Sequence, residues 1–189
     1  IYRRGERWRK PAAQVRVLIE TEEWSAVCFN APVVEVYRAA DPRRHPLAGS
    51  LGPDLCRSDS DLAVCVDRMM SYPDPRATVG EVLLDQRVAC GVGNVYRAEV
   101  LFACRVSPFT PIGQVPVETC ERLISTAARM LQANLVEPGR IADARAPGGL
   151  AVYGRMGKPC LDCGAVIQAR RLGDHQRLVS WCPGCQPSS

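Results

Sequence analysis

The first part of the chain alternates apolar and polar residues with a period of two. Val15, Val17 and Ile19 share one face of such a segment, and this alternation is typical of a half-buried strand. Runs rich in β-branched and aromatic residues follow it. The pattern predicts strands over 14–20, 24–30 and 33–37. A polar, proline-containing stretch, 41–53, then predicts a linker.

From about residue 58 the apolar spacing becomes helical. A weak capping box at Ser58 and Asp61 predicts the first helix, and a second box at Thr78 and Glu81 predicts a helix that extends through Val88. A further helix is predicted directly after Asn94. A long amphipathic helix is predicted from near Pro116 to about 137–140; its apolar stripe comprises Cys120, Leu123, Ile124, Ala127 and Leu131.

Two Cys-x-x-Cys motifs lie near the end of the chain, separated by eighteen residues. This spacing predicts one structural Zn²⁺ bound by four thiolates in a closed tetrahedral site. The metal would supply the folding free energy of a small hairpin that has few apolar residues. A pair of disulfides is the alternative, which the sequence leaves open. The predicted ligands are Cys160, Cys163, Cys182 and Cys185.

The composition excludes some classes of protein. No apolar run approaches the roughly 18 residues that span a membrane, and the first residues are too polar for a signal peptide. The six other cysteines are scattered, which favours free thiols in a reducing compartment. We therefore expect a cytoplasmic protein with no membrane partner.

Charge is unevenly distributed although the net charge is only +4. Residues 1–16 hold six Arg or Lys and one Glu, whereas residues 17–85 hold six basic and twelve acidic side chains. Basic ends around an acidic middle suggest a surface that faces an anion. Solvated faces without a partner would give the same pattern, and charge alone does not separate the two interpretations.

A glycine-rich turn and one arginine are candidate phosphate-binding features. Gly91, Gly93 and Asn94 lead into a helix N-terminus, where free backbone N–H groups favour an anion. Asn94 could instead cap the helix in a plain helix–turn–helix. Arg177 would project from the metal-stiffened hairpin on the same side as Val179. A solvated surface arginine is the alternative interpretation of Arg177.

Two segments resemble a known family in the same order. Residues 83–102, from Leu83-Leu-Asp-Gln to Val-Leu-Phe102, resemble the helix–two-turn–helix of the formamidopyrimidine-DNA glycosylase and endonuclease VIII family. Residues 152–186 resemble its zinc finger, and the chain is more similar to endonuclease VIII. The resemblance implies an α+β fold in three parts: the last strands of an N-terminal β-sandwich (1–45), a helical DNA-binding domain (46–150) and a zinc ribbon (151–189).

The resemblance also implies a function. Members of the family are DNA glycosylases and AP lyases of base excision repair, which flip oxidised bases out of double-stranded DNA. By position, Asn94 and Arg177 match residues that bind the DNA backbone beside the lesion, and the turn from Gly91 to Gly93 supplies backbone N–H contacts. We expect a monomer in the bacterial cytoplasm, associated with the nucleoid, whose partner is DNA with damaged bases or abasic sites.

The family nucleophile is an N-terminal proline amine followed by a catalytic glutamate. The chain begins with Ile1-Tyr2 instead, so no catalytic residue is assigned within it, and we expect the nucleophile in an upstream portion. A non-catalytic, zinc-containing DNA-binding module or damage sensor is the alternative function.

Overall fold

The computed structural model describes residues 1–36, 48–135, 141–173 and 176–187. The chain forms two compact units, residues 1–49 and 50–189. The sequence-based division at 150/151 falls inside the second unit. Within the described ranges, no helix is both long and apolar enough to cross a bilayer.

The first unit is a three-stranded antiparallel sheet. Its strands are β1 (Tyr2–Arg3), β2 (Val15–Glu20) and β3 (Trp24–Phe29), and β3 lies in the middle. The predictions for 14–20 and 24–30 are confirmed to within one residue. The strand predicted over 33–37 is wrong for its described part, since residues 31–36 form no strand; Tyr37 lies outside the described residues. Asn30 adopts φ +54° and Pro32 lacks a backbone donor, so the chain turns away from the ladder.

The second unit begins with four helices. They are α1 (Leu62–Met70), α2 (Val79–Val82), α3 (Asn94–Ala103) and α4 (Val117–Ala133). Asp61, not Ser58, caps α1, because its carboxylate accepts the backbone N–H groups of Ala63 and Val64. The capping box of Thr78 and Glu81 is present, as predicted.

The helix predicted from Thr78 through Val88 is much shorter than expected. α2 ends at Val82, and residues 83–90 form turns instead. Asp85 accepts the backbone N–H of Arg87 and pairs with its guanidinium, which stabilises a local turn in place of a further helical turn. Val88 is nevertheless buried, so its apolar character reflects the core and not a helical face.

The main core lies between α1, α3 and α4. All five residues of the predicted α4 stripe are buried, which confirms its amphipathic pattern. Leu123 and Ile124 at its centre are fully inaccessible, as are Val100 and Leu101 on α3. The helix α4 ends at Ala133, with Asn134 as its C-cap, so it is shorter than predicted; residues 137–140 lie outside the described residues.

The C-terminal part of the second unit is a two-stranded hairpin. Strands β4 (Gln168–Leu172) and β5 (Arg177–Trp181) pair antiparallel, with Arg170 opposite Val179. A smaller apolar cluster forms where this part contacts α3. Its buried members are Ala98, Phe102, Ala151, Val152, Cys160, Ile167 and Cys182. The fold is therefore α+β, with a helical middle and a cysteine-rich C-terminal ribbon.

Candidate metal centre and nucleic-acid interface

The four predicted ligand cysteines converge at one point. Their sulfur atoms all lie within 4.8 Å of one another. The Sγ atoms of Cys160 and Cys185 are 3.8 Å apart, and those of Cys163 and Cys182 are 3.4 Å apart. All ten cysteines of the chain are described and are free thiols, so the pair of disulfides is not formed.

This geometry fits a tetrahedral metal ion. A Zn–S bond of about 2.3 Å places sulfur atoms about 3.8 Å apart on the edges of a tetrahedron. Turns hold the ligands in this arrangement: the backbone N–H of Gly164 donates to the Cys160 carbonyl at 3.0 Å. A Cβ atom at Gly184 would lie 2.9 Å from the Cys163 sulfur, so glycine is needed there. The cluster is able to hold one metal ion of the kind that prefers four thiolates.

Helix α3 anchors the ribbon through a buried carboxylate. Glu99 is 1% exposed and accepts three backbone N–H bonds of 2.8–3.0 Å from residues 151–153. Burial raises the pKa of Glu99, whereas the three backbone N–H groups act in the opposite direction. A single side chain thus fixes the point where the ribbon leaves the helical part.

Three of the four DNA-binding residues inferred from the resemblance line a cleft of about 630 Å³. One wall is the turn before α3 with the start of that helix, and the other is the ribbon hairpin. The cleft brings together Gly93, Asn94 and Arg177, although Asn94 and Arg177 are 83 residues apart in sequence. Gly91 does not line it.

Gly91 is held by an internal hydrogen bond. Its backbone N–H donates to Gln86 Oε1 at 3.1 Å, and the Gln86 amide donates to the Val92 carbonyl at 2.9 Å. Gly91 has φ +104°, a conformation that glycine adopts most readily. A Cβ atom there would lie 3.1 Å from Leu131 Cδ1. Glycine at 91 is therefore explained by the shape of the turn.

Gly93 differs from Gly91 in both respects. Its φ of −100° and ψ of −176° suit any residue. No atom of the described residues lies within 4 Å of a Cβ built there, outside the chain neighbours. Gly93 is the N-cap of α3, where glycine is modestly enriched and is preferred to alanine. The space beside this helix N-terminus is open to another molecule.

Asn94 is the first residue of α3 and does not cap it. Its Nδ2 donates to the Leu178 carbonyl at 2.7 Å, and its Oδ1 accepts a hydrogen bond from Arg97. The capping interpretation of Asn94 is therefore wrong. The side chain instead joins the start of α3 to β5, next to Arg177.

Arg97 lies beneath this junction and is completely buried. Its guanidinium donates to the Leu178 carbonyl at 3.1 Å, and its Nε has no hydrogen-bond partner among the described residues. Burial, followed by the nearby charge of Arg177, lowers the pKa of Arg97 to about 10. Arg97 and Arg177 both line the cleft, and their positive charges favour an anion in this part of it.

Sequence reasoning missed Arg97 and Glu99 as structural elements of the site. Both lie in the segment 94–103, where Arg97 and Glu99 are buried like their apolar neighbours. A helix that carries apolar residues on all sides is packed between two partners. The apolar residues on all sides of 94–103 were the available signal that its charged side chains are buried between the helical part and the ribbon.

Known proteins match this chain over most of its length. The model of the formamidopyrimidine-DNA glycosylase H2TH domain matches residues 51–144. A protein of Streptomyces coelicolor named "Probable endonuclease 8 2" is 39% identical over 98% of this chain and 67% of its own length. The chain belongs to the formamidopyrimidine-DNA glycosylase and endonuclease VIII family of DNA repair glycosylases.

A second relative carries a name that states a reaction. The "DNA-(apurinic or apyrimidinic site) lyase Nei2" of Mycolicibacterium smegmatis is 36% identical over 93% of this chain and 68% of its own length. This chain thus spans about two thirds of the length of these two relatives.

Solved structures support the same fold. The MutM (Fpg) protein of Thermus thermophilus superposes with a TM-score of 0.71 at 29% identity, over 95% of this chain and 71% of its own. Lactococcus lactis Fpg in complex with DNA that contains an abasic site superposes with a TM-score of 0.60 at 25% identity, over 75% of this chain and 54% of its own. The match confirms the predicted family and fold class.

Proposed function

We propose that this chain is the DNA-binding portion of a DNA glycosylase and AP lyase that removes oxidised bases from double-stranded DNA. Family membership supports the glycosylase activity, and the name of the mycobacterial relative supports the lyase activity. The abasic-site DNA in the Lactococcus lactis complex supports DNA as the partner. We expect a monomer in the bacterial cytoplasm, associated with the DNA of the nucleoid.

The cleft would hold the DNA backbone beside the damaged nucleotide. The backbone N–H of Gly93 and the positive end of the α3 dipole would face a phosphate oxygen. Asn94 would exchange its bond to the Leu178 carbonyl for a second oxygen, and the Arg177 guanidinium would pair with the phosphate from the opposite wall. Buried Arg97 would add positive charge without direct contact.

The single observation that carries this proposal is the open space at Gly93. Neither its backbone angles nor its neighbours require glycine, and Arg97 and Arg177 line the same cleft. Close approach of a phosphate would require it, because a Cβ atom would fill the same space. For Gly91 a direct phosphate contact is untested; we assign its N–H to Gln86 and its role to the turn.

We propose Zn²⁺ as the metal held by the four cysteines, with a structural role. A closed set of four thiolates leaves no position for a reacting water, so the ion would fold the ribbon and hold Arg177 in place. We assign no catalytic residue within the described ranges. The residues described here would bind and orient the DNA.

Fluorescence anisotropy with a labelled duplex that carries an abasic-site analogue tests the cleft. Gly93→Ala adds only a Cβ atom and should weaken binding at least tenfold, while its cost to the helix cap is only about 1 kcal/mol or less. Arg177→Ala should flatten the plot of log affinity against log salt by about 0.9, the loss of one phosphate contact.

Arg129→Ala is the matched control, since it removes an arginine that lines a different cavity. It should leave the affinity nearly unchanged at high salt. Wild-type affinity for Gly93→Ala and an unchanged salt slope for Arg177→Ala would together reject the cleft as the DNA site.

Chemistry requires a separate experiment on the complete protein as its own cell produces it. Borohydride should trap a covalent adduct between its N-terminal amine and DNA with an oxidised base. Abasic-site binding without any trapped adduct or base release would instead support the non-catalytic damage sensor. Absence of DNA binding at low salt would reject both functions.

A further inference from the structure

A charged cluster outside the cleft joins the first cysteine turn to the helical part. Asp162 lies between the ligand cysteines Cys160 and Cys163. Its Oδ2 accepts a hydrogen bond from Arg105, and its Oδ1 accepts one from Arg145 at 2.8 Å. The Asp162 side chain is only 17% exposed. Neither the fold core nor the proposed cleft uses these three residues.

Arg105 has a backbone conformation that arginine does not favour. It follows the end of α3 with φ +59°, at the position where helices usually place glycine. The Arg105 N–H donates to the Phe102 carbonyl and the Val106 N–H to the Leu101 carbonyl, which is the hydrogen-bond pattern of a helix end. Glycine would relieve this conformation, so the side chain of Arg105 must supply a compensating interaction.

The side chain makes two contacts that glycine could not. Its guanidinium lies 4.9 Å from the centre of the Phe102 ring and extends to Asp162 in the metal-binding turn. These two contacts hold the Arg105 guanidinium between the end of α3 and the metal-binding turn.

The negative charge of the four-cysteine site with a bound metal ion explains what these contacts would stabilise. Four thiolates around one divalent ion carry a net charge of −2, in a site where Cys160 and Cys182 are buried. Nearby cations stabilise that charge, and hydrogen bonds to the turn hold its two ligands in position. Arg145 contributes as a second cation, itself fixed by Asp143 at 2.6 Å.

We propose that Arg105 and Arg145 form a clamp on Asp162 that retains the metal ion and fixes the ribbon to the end of α3. Arg105 is the principal positioning residue of this clamp, and Arg145 supports it. The inference rests on the proposed metal site. It predicts a role in metal retention that is separate from DNA contact, since neither arginine lines the cleft.

Arg105→Gly tests the clamp because it should act in opposite directions on two measurements. Relief of backbone strain should preserve or raise thermal stability, whereas loss of the clamp should weaken zinc retention. Relief of the positive φ should leave the thermal unfolding midpoint of the helical part equal to or above that of wild type. Loss of the clamp should accelerate release of zinc to a chromogenic chelator by roughly tenfold, the lower end of effects seen for outer partners of metal ligands. Release is followed by absorbance on the intact chain.

Four further variants sharpen the result. Asp162→Asn keeps the shape of the turn and should accelerate release similarly, and the double variant with Arg105→Gly should be little faster than either single one. Arg105→Lys keeps the charge without the planar fork and should be intermediate. Asn30→Gly, at another positive φ, is the control for glycine substitution and should release zinc at the wild-type rate.

Two outcomes separate the clamp from the metal proposal. Purified wild-type protein without stoichiometric metal would overturn the zinc assignment and the clamp with it. Wild-type protein with one zinc, together with wild-type release from Arg105→Gly and Asp162→Asn, would overturn the clamp alone.

Discussion

The helical part and the ribbon of the second unit are stabilised in different ways. Among the described residues, the helical core buries 22 apolar side chains from its four helices and the turns between them, whereas the ribbon cluster buries seven, two of which are predicted ligand cysteines. Polar contacts replace apolar burial in the ribbon: Glu99 binds three backbone N–H groups, and Gln186 donates to the Val106 carbonyl at 2.8 Å. The helical part is stabilised by hydrophobic burial, while the ribbon relies on fixed hydrogen bonds and, by our proposal, on a bound metal ion.

Removing one ligand cysteine should separate the two parts most clearly. Cys182→Ser should abolish stoichiometric zinc and unfold the ribbon, because metal binding contributes on the order of 10 kcal/mol to such folds. The helices should remain folded. Hydrogen exchange should show fast exchange in 160–187 and protection in α4. Retained stoichiometric zinc would contradict the four-cysteine site.

Truncating a side chain of the helical core should have the opposite effect: it should destabilise the helical part and leave the metal site of the ribbon intact. Leu123 is fully buried, so Leu123→Ala should lower the free energy of unfolding by about 2–5 kcal/mol. Zinc content should stay at one per chain. Chemical denaturation measures the loss, and Leu178→Ala, at a residue 47% exposed, should change it by less than about 0.5 kcal/mol. Equal losses of stability from the two substitutions would contradict the conclusion that apolar burial stabilises the helical part.

The buried anchor on α3 tests how far the parts are coupled. Glu99→Gln replaces an acceptor with an amide whose NH₂ group faces backbone donors, which should cost about 1–3 kcal/mol. Hydrogen exchange at residues 151–153 should accelerate, whereas α1 should be unaffected. Glu118→Gln, on the exposed face of α4, is the control. If 151–153 stay protected, Glu99 does not fix the start of the ribbon.

The smallest expected effect concerns pH and the helical part. The hydrogen bond from Arg87 is the main cause that lowers the pKa of Asp85 below its ordinary 3.8. The ionised form therefore stabilises the fold above that value, and this contribution is lost as pH falls through the folded-state pKa. Asp85→Asn should cost about 1 kcal/mol at pH 7 and flatten the acid limb of stability against pH. If the loss of stability at acid pH is the same in this variant as in wild type, Asp85 is not the group that causes it.

The sequence predicted best the features that local chemistry determines. The spacing of two Cys-x-x-Cys turns predicted a cluster of four cysteines that is able to hold a metal ion, and the stripe of α4 follows from the helical period. The capping box at Thr78 predicted where α2 begins, but not its end. That end depends on the pairing of Asp85 with Arg87 and on burial of Val88 in the core, and the periodicity of one segment contains neither.

The polar junction at the cleft could not be derived from the residues one at a time. Asn94 fits both a helix cap and a phosphate ligand, and only β5, more than eighty residues later, decides that its amide binds the Leu178 carbonyl. Arg97 and Glu99 resemble solvated charges until helix and ribbon enclose them. Tertiary packing assigns these side chains their roles.

The two glycines of the turn differ in what would preserve them through evolution. Gly91 is required by the folded chain itself, so any lineage that keeps the fold should keep it. Apart from the helix cap and the proposed phosphate contact, alanine would fit at position 93 as well as glycine does. In a lineage that stopped binding DNA, genetic drift should therefore replace position 93 well before position 91, and the pair would record when that function was lost.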